Sequence, residues 1–487
     1  MKIKNTLILL MVMISAGLSA QNSQVLYFMN LPQNHLLNPA LRPSNSLYIG
    51  LPVLSGINLN FNNNFINFSD VFSKGQTNDS VITFLHQGKN IDDFIAKIND
   101  KNSFETETTV QLFGLGFSVG KGSYIFLDIN DRVDGNTVIP KDIFELALLG
   151  NEGFVGSKID LSSLRIDMKY YREIGLGFSK DFTSKLRMGV KVKLLSGIAA
   201  ASIDNRSLGI TVNNDYSHTL DADLTLNLSA PFKVIKDSNN KITGLEYDKS
   251  LDNPAGIRDF VLGKKNTGFG FDIGATYCVN EKVLVSAAIT DLGFINWNKS
   301  INNLMANSHF EFSGLDLHDV LDGTKTLDQV GQEMLDSLGN SFDFYNSKVP
   351  FTTLLPFGVT LGGTYNLTKS FSLGLLSYSR VIGQQIRESL TVSANANFGN
   401  LFSTSLSCTA ANHRYDNFGA GLAFRPGIFQ FYLLADRIPI MWNKIVIDNG
   451  TIPIPTSWNT FNLRFGMNLA FGNKVRKKND RPMLEVE

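Results

Sequence analysis

The chain has 487 residues, and its 44 basic side chains balance 44 acidic ones, so it carries no net charge. That balance argues against nucleic-acid binding, which needs a basic footprint. Two cysteines exclude a disulfide-stapled scaffold. Charged residues are only 18%, below the roughly 25% of soluble domains, yet a mean hydropathy of −0.01 is too polar for a bundle of membrane helices. A chain this rich in Gly (41) and Phe (36) is neither disordered nor an ordinary cytosolic enzyme.

Lys2 and Lys4 precede an apolar run, Leu7–Ala16, and small residues follow to Ala20. This is the pattern of a secretory signal peptide over residues 1–20, cut after Ala20. No Cys lies near the cut, which excludes a lipoprotein anchor, and no later run of 18 apolar residues predicts a membrane helix. Residues 21–46 are expected to form a periplasmic or lumen-plugging segment, 47–472 the folded body, and 473–487 a periplasmic tail.

From there the dominant signal is a period of two. Leu186, Met188, Val190, Val192 and Leu194 alternate with Arg187, Gly189, Lys191 and Lys193. Phe269, Phe271 and Ile273 alternate with Gly270, Asp272 and Gly274, and the stretches 389–398 and 460–471 repeat the pattern. Strands are predicted near 47–63 (kinked), 106–119, 122–131, 166–180, 185–199, 267–279, 282–295, 355–366, 370–380, 388–398, 401–411, 416–425, 428–437 and 459–472. Most run long enough to cross a bilayer with tilt. Connections alternate between short turns and long loops, the pattern of periplasmic turns and extracellular loops. The expected fold is all-β: a transmembrane antiparallel up-and-down β-barrel of about 14 strands. A pair of alternating arms, Leu208–Val212 and Leu220–Leu228, forms either a hairpin on the rim or two more spans, so sixteen strands stays open. Helices are predicted in the long loops over Val81–Ile98, Pro140–Leu149 and Asp316–Leu338. Trp297, Trp442 and Trp458 fall at outer strand ends, where an aromatic girdle belongs.

If the apolar phase meets lipid, the other phase lines the lumen. It carries Asp167, Lys169, Glu173, Arg187, Lys191, Lys193, Asp272 and Arg464. Opposite charges on adjacent strands should pair across the wall. Arg172 breaks the lipid-facing phase and marks an interface or a bulge. Cys278 and Cys408 fall in opposite phases of non-adjacent strands and should not bridge. All six His fall outside predicted strands, with no metal-ligand spacing. No nucleophile elbow or phosphate loop is present, and Asp237, Asn239 and Thr243 lack the glycine of a calcium loop. No enzyme, metal or cofactor is expected.

The run YFMNLPQNHLLNPALRPSNSLYIGLP (27–52) is followed by IPKDIFELALLGN (139–151), YREIGLGFSK (171–180), NTGFGFDIGATY (266–277) and DLGFINW (291–297). This ordered set resembles an uncharacterised family of Bacteroidota outer-membrane proteins, domain-of-unknown-function family 5723. The resemblance spans nearly the whole mature chain and implies a barrel in the cell outer membrane, without an activity. Asn38-Pro39-Ala40 is also similar to the amino end of the long-chain fatty-acid transporter superfamily and of the type IX secretion shuttle barrel. That likeness implies fourteen strands and an N-terminal plug. The expected function is binding or passing a small molecule, hydrophobic on the superfamily's pattern, across the outer membrane. The alternative is a non-transporting scaffold or partner in cell-surface assembly or type IX secretion. Expected partners are outer-membrane lipid, a small-molecule ligand or a cell-surface protein, and no nucleic acid.

Overall fold

The computed structural model describes residues 24–473, apart from 75–80, 87–89, 237–241, 263–265, 313–343, 384, 400, 412–413, 440–441, 448–449 and 456–458. The expected signal peptide, the helix expected over Asp316–Leu338, Trp458, His413 and all but the first residue of the expected tail lie outside the described residues.

Alternation becomes a closed antiparallel wall. Its strands are β1 (two arms, Asn45–Gly50 and Ile57–Asn63), β2 (Lys101–Val119), β3 (Ser123–Pro140), β4 (Arg165–Asp181), β5 (Leu186–Val212), β6 (Asn266–Cys278) and β7 (Val283–Trp297). They continue as β8 (Phe357–Asn366), β9 (Phe371–Ile382), β10 (Gln385–Phe398), β11 (Phe402–Ala411), β12 (Arg414–Phe424), β13 (Phe429–Ile438) and β14 (Thr460–Asn473). Each strand pairs with the next, and β14 closes on both arms of β1, through Leu47↔Phe471 and Ile57↔Phe465. The barrel therefore has fourteen strands. The kink expected in the first strand is a complete break over residues 51–56.

The second pair of alternating arms is a rim extension. β5 runs on for 27 residues, and its far half pairs with His218–Ser229, which pairs in turn with Ile301–Phe312. This side sheet leaves the barrel after β5, so β6 still pairs with the near half of β5. The strand count stays at fourteen for that reason.

Side chains sort by face. Leu176, Val192, Leu361 and Leu406 on the outer face are each more than half exposed, while Lys191, Asp272, Thr391 and Asn468 on the inner face are sealed from solvent. An apolar exterior over a polar interior is stable only where the outer medium is hydrocarbon. Phe371, Phe398 and Phe402 pack in succession beside the short turns. The aromatic band on that side is therefore built of Phe.

In the loops, the helix expected over 140–149 forms as Lys141–Leu149. The one expected over 81–98 is corrected: Val81–Thr83 is a strand paired with Phe72–Lys74, and among the described residues of the stretch only Ile91–Ile95 is helical. Its start is fixed by the Asn90 side chain, which accepts the Asp92 N–H at 2.9 Å. Among the described residues no helix is long and apolar enough to cross a membrane.

Candidate functional site: the closed lumen

The segment after residue 23 enters the barrel. A short helix, Gln24–Phe28, and a turn of 3-10 helix, Pro32–Leu36, are buried almost completely. Val25, Leu26, Tyr27, Phe28, Met29, Leu31 and Leu37 pack with Leu376, Ala423, Tyr432 and Leu434 of the wall. Their burial supplies the apolar driving force for docking. Several polar atoms of the same segment pair with the wall. Gln24 donates to Ser389 Oγ, the Val25 N–H to Asp436 Oδ1 at 3.2 Å, and Gln33 to Asn468 Oδ1 at 2.8 Å. Tyr27 shares a 2.6 Å hydrogen bond with Ser286. Burial pushes the Tyr27 phenol up to about 12, with Ser286 opposing, so it stays neutral under all ordinary conditions.

The expected plug motif sits deepest in the wall. Asn38 donates to the carbonyls of Ala275 and Ala287, on β6 and β7, at 3.3 and 3.4 Å, and its Oδ1 accepts the Ala40 N–H at 2.9 Å. Gly189 and Gly274 face Pro39 and Asn38 so closely that a Cβ on either would overlap the motif. Gly362 faces Tyr27, Gly374 faces Phe28, and Gly419 and Gly421 face Val25 in the same way. Inner-face glycine thus carves the space the plug fills.

Outward of the plug the wall closes the lumen with its own charges. Lys191 Nζ lies 2.8 Å from both Asp128 and Glu173. Arg132 reaches Glu173 at 3.1 Å, Asp291 at 2.8 Å and Glu107 at 3.5 Å. Lys193 reaches Asp272 at 2.7 Å and Asp291 at 2.5 Å. Glu107 also pairs with Arg380, and Glu105 with Arg387, tying β2 to strands far around the barrel. Plug and network meet at His35, whose Nε2 lies 2.9 Å from Asp128 Oδ2 while Nδ1 faces the Pro32 carbonyl at 2.5 Å. Among the described residues no three His, Cys, Asp or Glu side chains form a metal-binding group.

Of the lumen charges read from sequence, Glu173, Lys191, Lys193 and Asp272 come together here. Asp167 and Lys169 pair with each other along one strand at 2.7 Å, and Arg187 pairs at 2.7 Å with Asp181, directly across from it at the end of β4 and away from Glu173. Arg464 is buried on β14. Arg172 forms an outer-face bidentate pair with Asp131 directly across from it, at 2.7 and 2.8 Å. Cys278 and Cys408 form no disulfide.

The girdle reading is corrected at Trp297. Its ring is sealed inside, stacks on Phe351, and donates Nε1–H to Thr353 Oγ1 at 2.9 Å. The cause is a bulge. Phe271 pairs with Leu292 but Ile273 with Ile289, so one extra residue on β7 reverses the phase of the strand beyond it. Asp291, inside that bulge at φ 63°, turns its carboxylate into the network. Trp442 lies exposed on an extracellular hairpin, Trp442–Ile447 with Gly450–Pro455. Sequence reading also missed Glu107, Arg132 and Asp134, because β2 and β3 run longer than the strands predicted over 106–119 and 122–131, leaving these residues at or beyond the predicted ends.

The break in β1 opens the wall's outer surface. An apolar notch of about 530 Å³ is lined by Val53, Leu54, Leu422, Leu433, Phe465 and Met467. Its floor is Tyr432, whose OH donates to the Ser55 carbonyl at 2.6 Å. Gln33 of the plug donates to the same carbonyl at 3.1 Å, and Tyr432 packs in the plug's apolar cluster. One tyrosine ring thus separates the notch from the plug.

A fourteen-stranded barrel, apolar outside and filled inside by its own amino-terminal segment, is a transmembrane β-barrel of the outer-membrane class. The sequence profile of the family of unknown function DUF5723 matches residues 39–436, and the chain belongs to that family. No curated protein matches it in sequence. Among solved structures it is similar to a FadL homologue of Pseudomonas aeruginosa, with 10% identity, TM-score 0.43, and coverage of 94% of this chain and 100% of that one. It is similar to the toluene transporter TodX of Pseudomonas putida, with 8% identity, TM-score 0.40, and coverage of 94% and 96%. It is also similar to the translocator domain of the autotransporter NalP of Neisseria meningitidis, with 7% identity, TM-score 0.30, and coverage of 88% and 90%.

Proposed function

We propose that this protein resides in the outer membrane and passes a small apolar molecule between the lumen and the membrane through the notch in β1, with no catalytic role. One observation carries the reading: the wall's break lies on the lipid side of the same tyrosine that the plug packs against. An apolar solute crossing there never meets the ion network. The solute meets side chains that favour it at every step, and movement of Tyr432 with the plug is the gate. The 530 Å³ notch falls within the usual size of small-molecule sites.

The test is entry of the apolar fluorophore N-phenylnaphthylamine into cells expressing the protein, compared with Leu422→Trp and Leu433→Trp variants that fill the notch. Entry should rise with wild-type protein and fall back in both variants. Equal entry in wild-type, variant and protein-free cells would sink the reading.

A second reading, docking of a cell-surface partner, is favoured by the side sheet that rises beside the barrel mouth. Deleting its outer hairpin should then abolish co-purification of that partner without changing fluorophore entry.

A further inference from the structure

At the extracellular end of the lumen, above the Arg132 cluster, lies a small pocket that neither the plug nor the notch uses. Asn60, Glu107, Asp134, Asn136, Lys169 and Arg380 line it. Asn136 is 6% exposed, and neither its amide nitrogen nor its amide oxygen has a hydrogen-bond partner. Asp134 is 4% exposed; its Oδ2 accepts the Tyr171 hydroxyl at 2.9 Å, but Oδ1 has no partner. Arg380 pairs with Glu107 through Nη1, while its buried Nε is also unpartnered. Buried polar atoms left unmatched are costly, and native folds keep few of them. Four on three adjacent lining residues mark a surface shaped for something polar.

The mixture of atoms selects the chemistry. The unmatched set contains donors (Asn136 Nδ2, Arg380 Nε) and acceptors (Asn136 Oδ1, Asp134 Oδ1) side by side. A cation would meet Lys169 and Arg380, and an anion would meet Glu105, Glu107, Asp134 and Asp167, three of them already held by Arg387, Arg380 and Lys169. A hydroxyl both donates and accepts, and it carries no charge into a site where either sign meets a like neighbour. The enclosed end holds about 20 Å³, room for one hydroxyl-sized group. We propose that this pocket binds a small, neutral, polyhydroxylated solute from the external medium, inserting one hydroxyl between Asn136 and Asp134. The site is separate from the notch, and its occupancy does not depend on apolar passage.

The experiment is saturation-transfer NMR on the full barrel in lipid nanodiscs, with D-glucose as probe and methylammonium and acetate as charged competitors. Saturable transfer to glucose is expected, weakened roughly ten-fold in Asn136→Leu, which fills the enclosed end and removes both amide atoms. Asn136→Ser is the milder variant should the first not fold, and heat-modifiable gel migration reports folding for each. Displacement of glucose by neither competitor supports the neutral assignment. The proposal is overturned by no saturable transfer in the wild type, which would leave the pocket holding solvent only. It is equally overturned by unchanged glucose binding in both Asn136 variants, or by preferential binding of either ion.

Discussion

In the half of the lumen that the amino-terminal segment fills, mostly neutral atoms close the barrel, with Arg42–Asp181 the ion pair among them. Apolar side chains of the plug pack on wall residues, amides and hydroxyls meet in pairs, and glycines make the room. In the extracellular half, charges on the wall itself close it, from Glu107 on β2 around to Arg380 on β9. The first closure is a separate segment, removable in principle because each contact is individually modest. The second cannot leave without leaving ions unpaired in a dry interior, so it behaves as part of the scaffold. The difference places the moving part on the side of the notch.

The largest expected effect is therefore in the charged half. Arg132→Ala strands Glu173, Asp291 and Glu107 together, and breaking a buried network from one side costs about 3–5 kcal/mol. Urea unfolding of the refolded barrel should show that loss, with the plug still protected from protease. Arg132→Met should recover little, since the carboxylates remain.

Next comes the glycine cradle. Gly189→Val drives side-chain atoms into the Pro39 carbonyl, and overpacking of this kind costs about 1–3 kcal/mol. Here the strain is relieved by releasing the plug, so planar-bilayer conductance and protease cleavage within residues 24–44 should rise while the barrel's unfolding midpoint barely moves. A barrel that unfolds early with its plug still protected would contradict the division between the halves. Asn38→Ala, which deletes three hydrogen bonds and leaves two wall carbonyls short of a donor, should release the plug more weakly, by about 1–3 kcal/mol.

The same division explains what could be read from sequence. The strands were legible because lipid imposes apolar residues on every second position, and all fourteen follow that phase. The lumen charges were half legible. Glu173, Lys191, Lys193 and Asp272 lie where hydrophobic alternation brackets them. Glu107, Arg132 and Asp134 lie at or beyond the ends of the strands predicted over 106–119 and 122–131, where no run of alternation brackets them. Trp297 was misplaced for another reason: period-two counting cannot see a one-residue bulge, although DLGFINW carries one. The role of inner-face glycine needed the plug in place, since a missing side chain gives no sign of what occupies its space.

The smallest expected effect, and the one that isolates the plug from everything around it, is at Tyr27. Tyr27→Phe removes one hydrogen bond to Ser286 and should cost about 0.5–1.5 kcal/mol at neutral pH. Its pH dependence has a definite sign. Burial holds the docked phenol near 12, above its ordinary value of 10.0, so the docked plug keeps a proton that the released plug loses. Docking is at full strength below pH 10 and weakens as pH climbs from 10 towards 12, by about 1.4 kcal/mol for each unit between the two values. Protease release of the plug should rise over that window in the wild type and stay flatter in Tyr27→Phe. If both proteins lose the plug in parallel, the weakening belongs to the charged half, and the separation of the two closures fails at their junction, His35 with Asp128.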